Sequence, residues 1–180
     1  RFESRGLGDV YKRQALLDIT GFSRFEVKGE NAEAWLDKIF ATKLPKPGRA
    51  RLAVMLSPTG KLKGDLTLLN WGDGTFWIMG SYYLRAWHMR WFNDQIQDGV
   101  SVRDLGDDIC GFALIGPNSH FILQKVAEGD VSKMRFMDCK RLDIGLIQSH
   151  VARMSVTGEM GFELNCKTVS YTHLRAHETR

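Results

Sequence analysis

The chain has 180 residues, 43% hydrophobic and 26% charged, and reads as an ordinary soluble globular protein with room for one well-buried domain or two small ones. No apolar stretch approaches the ~20 residues that a membrane-spanning helix needs, so a membrane partner is not expected. The net charge of +4 sits in the ends: residues 15–166 carry 18 basic and 18 acidic side chains, which removes the argument for nucleic acid.

Residues 1–14 show neither a helical nor a strand period and lack the apolar core of a signal peptide. They include the string GLGDVYKRQ, and residues 167–180 include VSYTHLRAHE. Both resemble translated adapter sequence, so the expected organisation is non-native tails at 1–14 and 167–180. Between them lies one domain over 15–166, truncated at its C-terminal side.

Phe22 to Val27 alternates as a half-buried strand does, and Gly29 breaks it. Asn31 to Thr42 reads as a helix, because Ala32, Trp35, Leu36, Ile39 and Phe40 fall on one stripe. Pro45 and Pro47 end it. Leu52 to Leu56 is a short strand, Ser57-Pro58-Thr59-Gly60 a turn, and Lys61 to Leu69 a second strand. In this hairpin Leu62, Leu66 and Leu68 are expected on one face, and Lys61, Lys63, Asp65 and Thr67 on the other. A strand over Thr75 to Met79 follows the Gly72-Asp73-Gly74 turn.

Ser81 is expected to cap a helix reaching about Gln97, and Val100 to Leu105 and Cys110 to Ile115 read as strands. A helix over Ser119 to Ala127 and strands over Leu142 to Gln148, Val151 to Val156 and Phe162 to Cys166 complete the chain. The fold class is therefore α+β with mostly antiparallel sheet, and a boundary is possible near Gly99–Asp108.

Several chemistries find no support. No G-x-G-x-x-G follows a strand, no lysine loop cradles phosphate, no H-E-x-x-H occurs, and neither Ser57 nor Ser81 sits in a nucleophile elbow. His88, His120 and His150 are scattered and read as surface or helix-face residues. Cys110, Cys139 and Cys166 have no metal-ligand spacing, so no metal is expected and a reducing, cytoplasmic setting is the simplest one.

Two stretches carry candidate chemistry. In Met55 to Thr67, Asp65 alone is an acid on the polar face of a strand. Gly64 beside it marks a bulge or a close approach, and together the two suggest a ligand-facing carboxylate. In Thr157 to Leu164, two glycines flank Glu159 and Glu163 enters the next strand. The plain reading is a hairpin with two solvated acids. A functional one has a glutamate accepting hydrogen bonds from a planar amino-heterocycle.

The chain resembles the folate-binding domain of the glycine-cleavage T-protein superfamily, above all the transferase region of dimethylglycine and sarcosine dehydrogenases. Four stretches carry the resemblance: Leu17 to Gly29, Leu44 to Thr67, Leu114-Ile115-Gly116-Pro117 and Thr157 to Leu164. It implies tetrahydrofolate-dependent one-carbon transfer from a small N-methyl amine such as dimethylglycine or sarcosine. Asp65 would be the catalytic carboxylate near the reactive folate nitrogen, and Glu163 would hold the pterin ring. Glu159, Met55 and Gly64 would complete the binding residues. FAD would belong to a covalently joined N-terminal flavin domain absent from this chain. Leu52 stands where the family carries a tyrosine, and Lys61 and Lys63 replace more neutral residues. Folate contacts of the family beyond Cys166 are missing. The alternatives are a folate-binding module of the iron–sulfur maintenance type, whose Lys-Gly-Cys-Tyr-x-Gly-Gln-Glu string is absent, and a free-standing T-protein.

Overall fold

The computed structural model describes residues 14–155 and 157–169. Most of the two expected tails, and Val156 at the end of an expected strand, lie outside the described residues. The chain divides into two compact units: Gly21–Asp107, and the residues up to Thr20 together with those from Asp108 onward. The second junction falls within the expected boundary.

In the Gly21–Asp107 unit, β2 (Ser23–Lys28), β3 (Arg49–Leu56), β4 (Leu62–Asn70), β5 (Phe76–Gly80) and β6 (Ser101–Asp104) form one sheet. Its order is β3-β4-β5-β2-β6 and every neighbouring pair is antiparallel. Two helices, α1 (Ala32–Ile39) and α2 (Arg85–Asp94), supply the other side of the core. The apolar stripe of α1 is buried as expected, with Trp35 and Leu36 fully enclosed. Phe92 of α2 packs edge-on against Phe25 and Trp35, with ring centroids at 5.2 and 5.9 Å. The Trp35 indole N–H donates to the Gln95 carbonyl just past the end of α2 (2.8 Å).

Where β2 turns into α1, Gly29 adopts φ +128° and faces Gly99 at φ +74°. A Cβ on Gly29 would collide with the Gly99 carbonyl, and one on Gly99 would lie 2.6 Å from the Asn31 amide nitrogen. The Asn31 N–H donates to that same carbonyl (3.2 Å), and its side-chain amide donates to Asp98 O (2.9 Å).

The expected helix from Ser81 is shorter than its sequence suggests. Residues Tyr82–Leu84 form a 3₁₀ turn, α2 ends at Asp94, and the Ser81 side chain makes no capping bond. The anchor is Arg85 instead, whose guanidinium donates to Asp104 (2.7 Å) and Asp107 (3.3 Å). The α-helix thus starts at Arg85, beside its ion pair to the neighbouring strand, three residues later than a Ser81 cap would have started it.

In the other unit, β1 (Ala15–Asp18), β7 (Ile109–Ile115), β8 (Ala127–Glu128), β9 (Cys139–Ile144), β10 (Ile147–Ala152) and β11 (Gly161–Lys167) form a sheet in the order β1-β7-β11-β10-β9-β8. Helix α3 (Ser119–Val126) places Leu123 in a core with Leu114, Val131, Met134, Val151 and Phe162. The expected strand through Leu142 to Gln148 is two strands, because Gly145 (φ +57°) turns the chain back and leaves Leu146 wholly exposed.

Candidate functional site

The hairpin of β3 and β4 closes through its predicted turn. The Ser57 N–H donates to Lys61 O and the Gly60 N–H to Ser57 O, both at 2.8 Å, while the Ser57 hydroxyl accepts from the Lys61 N–H at 3.1 Å. Above the turn the register slips: Leu56 faces Leu62, but Met55 faces Gly64, so Lys63 is the extra residue of a β-bulge. This corrects the expected alternation. Leu62, placed on the core face by counting, is 65% exposed, and Lys63 turns toward α2. Beyond the bulge the reading holds, with Leu66 and Leu68 buried and Asp65 exposed. The carboxylate of Asp65 makes no hydrogen bond or ion pair among the described residues, which leaves it open to a ligand.

Gly64 is explained by what approaches it. A Cβ there would lie 3.0 Å from His88 Nε2 and 3.1 Å from Met55 Cε. His88 is therefore not a surface residue: it is 1% exposed, inside α2 and directly behind Gly64. Burial pushes its pKa below the ordinary 6.5, opposed by the Lys63 backbone. Neither ring nitrogen has a hydrogen bond of good geometry. The helical phase carried the missing signal, since Phe92 lies four residues on and is fully buried. On the outer side, the Lys63 ammonium lies 5.3 Å from the Trp87 ring and 5.1 Å from the Trp91 ring. The two indoles are stacked at 6.1 Å.

Met55, Gly64 and Asp65 are thus brought together on adjacent strands, with Met55 fully buried beneath them. A groove of about 430 Å³ in the same unit is lined by Asp37, Phe40, Pro58, Trp91 and Gln95 and does not include Asp65.

Glu159 and Glu163 belong to the other unit. The turn before β11 is held by the Ser155 hydroxyl donating to Glu159 O (2.8 Å) and by the Gly116 N–H donating to Met160 O (2.8 Å). Two of the stretches singled out in the sequence, Gly116-Pro117 and Thr157 to Leu164, are therefore neighbours. Glu159 is half-buried, whereas Glu163 is only 2% exposed, so the reading of two solvated acids fails for it. Its neighbours across the sheet are Ala113 and Ala152. A carboxylate at this depth demands hydrogen-bond donors.

The three cysteines are buried and unoxidised, and no group of three or more metal-binding side chains occurs among the described residues. Cys110 and Cys166 face each other across β7 and β11 with sulfurs 3.2 Å apart, and burial beside Cys110 pushes the Cys166 thiol up to about 12.

Residues 5–177 match the family described as the GCVT N-terminal domain. Human mitochondrial dimethylglycine dehydrogenase is 29% identical over 160 residues, covering 86% of this chain and 18% of the relative. The aminomethyltransferase of Anoxybacillus flavithermus is 29% identical over 161 residues, covering 88% of this chain and 44% of the relative. The chain thus spans under half the length of these relatives, both of which are enzymes. The solved aminomethyltransferase T of the Bartonella henselae glycine cleavage system superposes with a TM-score of 0.80 at 20% identity, over 93% of this chain and 45% of that one. The heterotetrameric sarcosine oxidase of Corynebacterium sp. U-96 does so with 0.67 at 18% identity, over 89% and 78%. The α+β fold is the one these proteins share.

Proposed function

The chain belongs to the GCVT N-terminal domain family, and on that premise we propose that it takes part in tetrahydrofolate-dependent transfer of a one-carbon unit from an N-methylated amine such as dimethylglycine or sarcosine. In this reading it is the transferase part of a flavin-linked dehydrogenase. The FAD belongs to a separate flavin domain, and the described residues offer it no glycine-rich strand-to-helix turn. The likeness to dimethylglycine dehydrogenase supports the choice of amine.

The observation that carries the proposal is Asp65: an exposed carboxylate without a partner among the described residues, presented at the outer face of β4 directly after a bulge. Tetrahydrofolate supplies a nucleophilic ring nitrogen. As that nitrogen bonds to the electrophilic methylene, the C=N electron pair would return to the amine nitrogen and the ring nitrogen would shed a proton, which the amine carries away when its C–N bond breaks. Asp65 accepts that proton and stabilises the positive charge that precedes its loss. Glu163 is the residue that would meet the amino and ring N–H groups of the pterin. The protein otherwise contributes the positioning of two reactants.

The five tryptophans, Trp35 to Trp91, all lie in the unit that contains Asp65. Titration with folinic acid is expected to quench their fluorescence saturably, and a featureless titration would count against folate binding. In the whole natural protein, Asp65→Asn is expected to slow formation of 5,10-methylenetetrahydrofolate about a hundredfold to ten-thousandfold, leaving a measurable residual rate. Unchanged formation would remove Asp65 from the chemistry.

A further inference from the structure

We propose that His88 is a positioning residue for Asp65: its imidazole, packed beneath Gly64, fixes the Lys63–Gly64 bulge and through it the direction in which the Asp65 carboxylate leaves the sheet. The proposal rests on the folate-transfer reading of Asp65.

Helix α2 holds the two residues that precede Asp65 with three side chains. His88 meets Gly64 from the core side, close enough that an added Cβ would lie 3.0 Å from Nε2. Trp87 and Trp91, one residue before and three after, receive the Lys63 ammonium at 5.3 and 5.1 Å. A bulge is the least constrained place in a hairpin, because its extra residue lies outside the ladder and its backbone can twist. Here both residues of the bulge are gripped by one helix, and that helix is itself pinned. Arg85 is tied to Asp104 at one end (2.7 Å), and the Trp35 indole reaches Gln95 O at the other (2.8 Å). The residue after the bulge inherits its direction from that grip.

The choice of histidine also needs a reason. A ring that is 1% exposed and whose nitrogens have no well-formed hydrogen bond is a costlier filler than an apolar side chain of similar size. What an imidazole offers is a small, flat ring with one nitrogen that can be bare. The flat ring sits beside the Gly64 backbone with Nε2 3.0 Å from where a Cβ would lie, so only a residue without a Cβ fits opposite it. Met55 Cε closes the same space from β3, at 3.1 Å from the Cβ position.

A double-mutant cycle on folate-dependent transfer in the whole natural protein tests this, with Asp65→Asn, His88→Ala and the pair. His88→Ala is expected to lower kcat about tenfold to a hundredfold, the scale of a misdirected reacting group, with KM for tetrahydrofolate little changed. On the Asp65→Asn background it is expected to add nothing. A merely structural role would lower both backgrounds alike, and that outcome, or full activity in His88→Ala, overturns the proposal. Full activity in Asp65→Asn overturns the reading of Asp65 itself, and the proposal with it. Where His88→Ala does not fold, Gly64→Ala carries the same cycle, since it crowds the contact from the other side while keeping the ring. It is expected to lose kcat and to recover part of it when combined with His88→Asn. Full activity in Gly64→Ala, or no recovery in the combination, overturns the proposal.

Discussion

Phe92 is the side chain on which the packing of α2 depends. It is fully buried and sits edge-on between Phe25 and Trp35, with the His88 ring stacked on it at 6.2 Å. Truncation to alanine removes a buried phenyl group, which costs roughly 3–5 kcal/mol when the cavity does not collapse. The unit that holds it has roughly 90 residues, and at about 0.05–0.15 kcal/mol per residue its whole stability is about 4–13 kcal/mol. Phe92→Ala is therefore expected to remove between about a quarter and all of that stability. Phe92→Leu is the measurable perturbation. It keeps most of the apolar volume and forfeits two edge-to-face contacts at about 0.5–1.5 kcal/mol each, so about 2 kcal/mol is expected. In a domain of this size that lowers Tm by about 8–16 °C. Urea unfolding followed by tryptophan fluorescence reports on this unit specifically, because every tryptophan lies within it. A loss below about 0.5 kcal/mol in Phe92→Leu, or below about 2 kcal/mol in Phe92→Ala, would show that α2 is held by its polar ends instead of by this ring.

Other expectations follow from burial and charge. With its thiol at about 12, Cys166 has roughly a thousandth of the thiolate of an ordinary cysteine near neutral pH, so native protein should resist a disulfide reagent that labels all three cysteines in denaturant. Fast labelling in the native state would contradict the burial. The Asp130 carboxyl, which accepts from the Ser132 hydroxyl and pairs with Lys133, is held at about 2 against an ordinary 3.8. Its contribution is present above 3.8 and lost as pH falls through about 2. A carboxyl carbon titration should show this, with the midpoint rising toward 3.8 in Ser132→Ala. His88, lowered by burial, contributes in full above 6.5, and stability is lost as pH falls from there through its folded value. A flat profile across that window, or one unchanged by His88→Asn, would contradict the burial of a neutral ring.

Much of this was legible because the signals were local. The stripe from Ala32 to Phe40, the turn at Ser57 to Gly60 and the alternation from Asp65 to Leu68 each depend on neighbours within a few residues, and each is as the period predicts. The misreadings come from longer range. Leu62 went to the wrong face because a bulge resets the count, and Gly64 announced a bulge or a close approach without saying which; it is both. Strand β1 escaped notice because its ladder partner is Phe112 to Ile115, far along the chain. Glu163 looked like a solvated turn acid because nothing nearby reveals that β11 is the third of six strands, buried along most of its length. His88 carried a signal that went unread, the aromatic one helical turn further on.

The meeting of Gly29 and Gly99 bears on how the unit can drift over generations. A side chain on Gly29 would need the space of the Gly99 carbonyl, and one on Gly99 that of the Asn31 and Glu30 side chains, and both residues hold a positive φ, so changing one glycine does not relax the other. Asn31, bonded to both the Gly99 and Asp98 carbonyls, extends this interdependence to a third residue. Compensation by paired substitution, the usual route by which contacting residues diverge, is closed at Gly29, where the obstacle is a backbone carbonyl that no substitution removes. A library randomised at 29, 31 and 99 and selected only for soluble expression should return glycine at both outer positions, while the strand and helix around them accept ordinary exchange.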